Sequence, residues 1–338
     1  MSLAKKAFYH AAGLIPLKTL QHPLPMRLLL PYHHLVNNAA VPHIKHLYPY
    51  KNERLFEEDV DYLLRHFKPV TLQEVIQASR GQLTLPDNAF LLTFDDGLRE
   101  VAEVIVPLLR RKGVPAVFFL NNAFLDNRTL FYKFKISLLI EALQTKSYSA
   151  AVLQEAAALL PYDERGLAAA LKTIRYSNKD LADEVAALLQ VSFDDYLQQQ
   201  RPFMTTAEVN ALLADGFAIG GHSVDHPYYS ALTLEQQLTQ TRESVEYLVR
   251  EFGIDYRVFA FPHSDAGVSR AFFDRLFHEE NPMDLVFGTG NQRQDISPRI
   301  LHRFNCERPS LPIAQAVKGI LLYGRLKKIC RQNNIQRN

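Results

Sequence analysis

Residues 90–97 read FLLTFDDG. Asp95 and Asp96 stand side by side behind an apolar run, and adjacent carboxylates raise each other's pKa unless a cation or hydrogen bonds compensate. Gly97 then permits a turn that most residues could not make. Residues 220–227, GGHSVDHP, add His222 and His226, four positions apart and again behind an apolar run. Two neutral imidazoles and one carboxylate are a common three-ligand set for zinc or a similar divalent ion, with positions left for water. One aspartate would complete that set, and the other would stay close enough to take a proton from an attacking water. Gly220 and Gly221 would let the backbone approach closely there. A second Asp-Asp pair, in FDDY at 193–196, lies in polar helical sequence and reads as a solvated pair.

These groups need strands to hold them. Several short apolar runs share one pattern, each ending in polar residues. RLLLPYHH (27–34) ends in two histidines, AVFFLNN (116–122) in two asparagines, FAIGGHS (217–223) in His-Ser and RVFAFPHSD (257–265) in His-Ser-Asp. LVFGTGNQ (285–292) and ILHRFNC (300–306) follow. Helical patterns lie between them, at 57–67, 71–82, 99–113, 206–216 and 233–253, the last opened by a Thr-x-x-Gln capping box at Thr233 and Gln236. Alternating strands and helices predict an α/β parallel sheet, and about seven or eight such units predict a closed or nearly closed barrel. In that architecture the reactive groups sit at the C-terminal ends of the strands, where this chain keeps its Asp, His and Asn clusters. No G-x-G-x-x-G follows a strand, which argues against a dinucleotide site. Residues 123–202 hold no strand pattern and read as an alanine- and leucine-rich helical insertion.

The 338 residues divide on this reading into an N-terminal helical segment, 1–26, a barrel domain, 27–310, and a C-terminal segment, 311–338. A formal net charge of +2 is too small to point to nucleic acid. Two cysteines, Cys306 and Cys330, make neither a disulfide framework nor a cysteine zinc site. The N-terminus lacks the clean apolar core of a secretory signal, and no run reaches the length of a membrane span, so a cytoplasmic location is expected. AVKGILLYGRLKKICRQ near the C-terminus mixes apolar and basic residues. It fits a helix docked on the body of the protein or a basic amphipathic helix in peripheral contact with an anionic membrane face.

TFDDG followed by HSVDH resembles the polysaccharide deacetylases, the NodB homology domain of carbohydrate esterase family 4. PYHHL (31–35), VPLLRRKGVPAVFFL (106–120), FMTTAEVNALLADGFAIGGHS (203–223) and FAFPHSD (259–265) support it, so the resemblance covers about 27–122 and 203–306. It implies a distorted (β/α) barrel of about seven strands and a metal-dependent amide hydrolysis. It implies Asp95 as catalytic base, Asp96, His222 and His226 as metal ligands, and zinc as the expected ion, other divalent ions being alternatives. Pro262 and His263, in the third motif, would bind substrate through backbone N–H groups. The family's third-motif arginine is replaced by Ala260, the chain has no tryptophan for the fourth motif, and Arg299 or Arg303 could stand in for the arginine. For the general acid the candidates are His33, His263 and His302, with His302 favoured because the family keeps its acid on the late strand. The function expected is an N-deacetylase acting on an N-acetylated sugar in a polysaccharide or lipid-linked glycan. The alternatives are a deformylase or other amidohydrolase on a lipid-linked amino sugar, and a non-catalytic carbohydrate-binding protein on the same scaffold.

Overall fold

The computed structural model describes residues 3–21 and 28–338. Seven strands build the barrel: β1 (Pro31–His33), β2 (Leu92–Phe94), β3 (Ala116–Leu120), β4 (Ala218–Gly221), β5 (Val258–Ala260), β6 (Leu285–Gly288) and β7, in two pieces, Ile300–His302 and Phe304–Asn305. All neighbours pair in parallel. The first piece of β7 pairs with β6 and the second with β1, so one strand joins both edges and closes the sheet. The switch falls at Arg303: its N–H donates to Gly288 O at 2.9 Å, and the Phe304 N–H donates to Leu30 O at 3.0 Å. Gln292 bridges the same seam, accepting from Leu30 N and donating to Leu28 O, each at 2.8 Å. The molecule is thus the α/β distorted barrel that the strand-helix rhythm predicts.

Strand alternation explains why these runs are apolar on both faces. Along β3, Ala116, Phe118 and Leu120 join the core beneath the outer helices. Val117 and Phe119 turn the other way, packing with Leu30, Val258, Leu285 and Phe287 inside the barrel. The run FLLTF divides between two sheets. Ala89–Phe90 pairs with Leu28–Leu29 and Lys68–Pro69 in a small parallel sheet, and Leu92–Phe94 enters the barrel. The helices start where the sequence marks them. Thr205 and Thr233 cap Thr206–Ala214 and Leu234–Phe252 in complete capping boxes, and Gly113 and Gly253 end their helices in the left-handed region.

Residues 123–202 form a helical layer of Tyr132–Thr145, Ala150–Ala158, Leu167–Leu171, Leu181–Leu188 and Phe193–Gln200. These helices share a core that includes Leu35, Val41 and Ile44, from the loop after β1. Asp194 and Asp195 are exposed in the first turn of their helix. At the termini, helix Leu3–Leu14 packs on helix Ile313–Ile329, where the Gly319 backbone lies against the Tyr9 ring and Lys318 Nζ donates to Gly13 O at 2.8 Å. The C-terminal helix buries Val317, Ile320 and Leu321 in the body of the protein. Its apolar face is therefore docked, and among its large apolar residues Leu326 and Ile329 stay exposed. No described helix is long and apolar enough to cross a membrane.

Candidate active site

Asp95 and Asp96 follow β2, at the C-terminal end of the barrel. Asp96 adopts φ 72°, a left-handed conformation unfavourable for a residue with a Cβ. Ser223, His226 and His263 share that region of φ, so four such residues gather around one site. Gly220 and Gly221 bring the histidine loop in. A Cβ on Gly220 would stand 2.6 Å from the Phe119 ring, and one on Gly221 2.7 Å from Ser244 Oγ. The Asn121 amide donates to the carbonyls of His222 and Ser223, and Ser223 Oγ accepts from the His226 N–H at 3.0 Å.

Asp96, His222 and His226 converge as a possible ligand set, their ligand atoms within 4.8 Å of one another. His226 Nε2 is 3.0 Å and His222 Nε2 3.4 Å from Asp96 Oδ1, yet that oxygen is buried without a hydrogen bond. The Nδ1–H of His222 donates to Ala260 O at 2.8 Å, which turns its Nε2 lone pair inward. Burial opposes ionisation of Asp96, but His226 and His222 hold its carboxyl well below the usual carboxylate range. Burial likewise pushes His226 down, towards the neutral imidazole. One carboxylate oxygen and two imidazole nitrogens fit a divalent cation of the zinc type.

Asp95 is held differently. Arg303 grips it bidentately, Nη1 to Oδ1 at 2.6 Å and Nη2 to Oδ2 at 2.9 Å, with Nη1 also 3.2 Å from Thr93 Oγ1. The guanidinium lies over the rings of Tyr32 and Phe119 and is fully buried. Burial raises the Asp95 pKa, but the charge and hydrogen bonds of Arg303, together with His222 and His34, outweigh it and the net direction is down. Of the two arginines considered for the place left by Ala260, Arg303 takes it. Arg299 does not reach the cleft: it donates to Asp284 O at 3.2 Å and stacks on Phe277, against the outer helix.

The cleft above these residues has a volume of about 940 Å³. Asp95, Asp96, His226 and His263 line it, with Tyr48 and Tyr132 on the walls. His263 stacks on Tyr228 at 3.7 Å and meets His226 edge-on at 4.4 Å. Burial drives its pKa far down, so it is a neutral wall residue and no proton donor. Of Pro262 and His263, only His263 has an N–H to offer, since proline has none. Two other histidine expectations do not hold. His33 turns away from the cleft and packs between Phe56 and Phe94, with 1% of its surface exposed. His302 is fully buried in a separate network. Its Nε2 meets Asp295 at 2.7 Å, its Nδ1 accepts from Gly290 N at 3.0 Å, and Arg337 joins Asp295 to Asp265. Neither imidazole nitrogen is left for a substrate.

The cleft histidine that sequence reasoning passed over is His34. His33 ends β1 and packs into the core, while His34, just past the strand, lines the cleft. His34 Nδ1 meets Glu307 Oε2 at 2.8 Å, and Glu307 Oε1 accepts the backbone N–H groups of His34 and Leu35. Burial pulls the imidazole down, but Glu307 and the two aspartates lift it to about 10, so it is a cation at neutral pH. Choosing between His33 and His34 required only the register of β1, which PYHH alone does not state.

Fold and site define a barrel hydrolase of the type that acts on amide bonds. A family model described as polysaccharide deacetylase matches residues 82–272 of the 338. The chain belongs to the polysaccharide deacetylase family. No curated protein sequence matches it. Among solved structures it is similar to IcaB from Ammonifex degensii, with TM-score 0.54 and 16% identity over 86% of this chain and 97% of that one. It is similar to the Streptococcus pyogenes deacetylase PplD in complex with acetate, with TM-score 0.55 and 13% identity over 88% and 99%. A polysaccharide deacetylase from Bacillus cereus shares the fold at TM-score 0.51 and 11% identity, over 87% and 69%.

Proposed function

We propose that this protein is a metal-dependent N-deacetylase that removes the acetyl group from an N-acetylated sugar in a polysaccharide or lipid-linked glycan. The observation that carries the reading is the pairing of two unlike aspartates. Asp96 faces His222 and His226, and its neighbour Asp95 is held as a carboxylate by Arg303. When bound, a divalent cation polarises an amide carbonyl and makes water more acidic. Asp96, His222 and His226 would hold it. Asp95 accepts a proton from the attacking water, whose oxygen bonds to the carbonyl carbon. The C–N bond breaks as the nitrogen takes a proton from His34, giving acetate and the free sugar amine. Glu307 keeps His34 protonated for that transfer and holds its Nδ1, which leaves Nε2 to the substrate. The acyl group itself is argued from the family, and release of formate in place of acetate would move the reading to a deformylase.

The test is acetate release from N-acetylglucosamine oligomers by zinc-loaded and chelator-treated protein. Zinc-loaded protein is expected to be active and chelated protein inactive. Asp96→Ala is expected to emerge with reduced metal content. Asp95→Asn is expected to keep its metal and to lose turnover by ~10²–10⁴-fold. Metal bound without turnover on any acylated sugar would leave the non-catalytic carbohydrate-binding reading in its place.

A further inference from the structure

The mouth of the cleft is lined by Lys6, Lys133, Lys172, Arg175 and Arg308. They come from the N-terminal helix, the helical insertion and the segment after β7, so the chain brings together like charges that are far apart in sequence. Among the described residues none of the five is paired with a carboxylate. Other cations of the insertion are paired: Lys135 with Asp183, Arg165 with Asp163 and Lys179 with Asp225. The carboxylates that do line the cleft are already engaged, Asp95 by Arg303, Glu307 by His34 and Asp96 in the histidine cluster. The whole chain carries only +2, so the positive field is local to this opening.

Two of these cations are fixed in place. Lys133 Nζ donates to Tyr228 Oη at 2.6 Å and lies 4.5 Å from the centre of its ring, on the wall shared with His263. Arg175 Nη1 donates to Lys172 O and Ile174 O, which anchors the guanidinium and leaves other N–H groups free. Like charges held around a concave opening repel one another and attract anions. The cleft also carries neutral polar groups such as Asn305, Ser310 and Thr289, but no free carboxylate to offset the five cations. We infer that the substrate is an anionic glycan, carrying a phosphate or carboxylate next to the acylated amino sugar, and that Lys133, Lys172 and Arg175 receive that anion.

This inference rests on the deacetylase reading, and binding is measured apart from turnover so that the two can fail separately. Calorimetric titration of chelator-treated protein uses three probes: N-acetylglucosamine, N-acetylglucosamine 1-phosphate, and a disaccharide joining N-acetylglucosamine to glucuronate. At low salt at least one anionic probe should bind about tenfold or more tightly than the neutral sugar, and the preference should shrink as salt is added. Preference for the phosphate identifies a glycosyl phosphate, and preference for the uronate identifies an acidic polysaccharide. Lys172→Ala/Arg175→Ala changes two exposed side chains and should bring the ratio close to one. Equal binding of all three probes, or a double variant that keeps the full preference, overturns the inference. Acetate release is then measured on the same probes with zinc-loaded protein. Tight anion binding with no release from any probe overturns the deacetylase reading and leaves the anion site standing.

Discussion

Asp95 and Arg303 are both buried, and each ion is compensated by the other. Removing one partner of a buried pair leaves an uncompensated ion, which costs ~3–5 kcal/mol. Arg303→Met is therefore expected to lose that much in urea denaturation of metal-depleted protein at neutral pH. The pH dependence has a definite sign. In the native protein the Asp95 pKa is depressed, so its contribution is complete above the ordinary carboxylate value of about 4 and is lost as pH falls through the lower folded value. In the variant the lowering by Arg303 is gone while burial still raises the pKa, so protonation relieves part of the defect. The gap between the two proteins should narrow from pH 7 to about pH 4. A constant gap would show that Asp95 is not held by this pair.

His34 has the opposite sign. Its folded pKa is raised to about 10, so its pairing with Glu307 stabilises the protein fully below the ordinary histidine value of about 6.5. That contribution is lost as pH rises through the folded value. Glu307→Gln should lower the His34 pKa and move the alkaline limb of the kcat/KM profile to lower pH. His302→Asn should leave that limb where it is and reduce thermal stability, since a buried hydrogen-bonded group is removed at ~1–3 kcal/mol. A shifted limb in the His302 variant, with none in the Glu307 variant, would return the acid role to His302.

At the scale of elements, the ligand geometry depends on how closely β4 approaches β3 and β5. The Gly220 position touches the Phe119 ring and the Val258 side chain, and no side chain fits between them. Gly220→Ala should destabilise the protein by ~1–3 kcal/mol through overpacking. Because His222 follows two residues later, the same change should weaken zinc affinity in a competition titration with a chromophoric chelator. Unchanged stability and unchanged affinity would mean that β4 has room to shift. The insertion reaches the same loop from the other side: Phe131 packs on His226, and Tyr176 and Lys179 bind Asp225. It is both a wall of the cleft and a brace for the histidine loop.

At the scale of the molecule, the site draws on the full circumference of the barrel. Asp96 follows β2, His222 and His226 follow β4, and Arg303 comes from the strand that closes the sheet. A cation bound by such groups binds the folded state and not the unfolded chain. Stabilisation by binding is RT ln(1 + [L]/Kd), about 2.7 kcal/mol at a hundredfold excess over Kd. Zinc should raise the melting temperature of the native protein, and a chelator should reverse the change. Asp96→Ala and His222→Ala should lose most of that shift. An equal shift in both variants would place the ion elsewhere.

The local signals were legible in the chain. Asp95, Asp96 and His222 sit behind apolar runs, with His226 four positions further on, and the period of those runs carries the barrel. The capping boxes at Thr205 and Thr233 and the glycine stops are written within a few neighbouring residues, so they need no tertiary information. What pairs across the barrel was not legible. Arg303 and Arg299 are the same residue type four positions apart, and only the seam between β6 and β1 turns Arg303 inward to Asp95. His33 and His34 are adjacent histidines, and only the fold sends the first into the core and the second into the cleft. His302 looks like a free histidine until Asp295 and Arg337, from a loop and the distant C-terminus, take up its surroundings. A residue's type and its near neighbours determine which chemistry it can do. The closure of the barrel decides which partner it meets, because hydrogen bonds and charges act over a few ångströms of space and not along the chain.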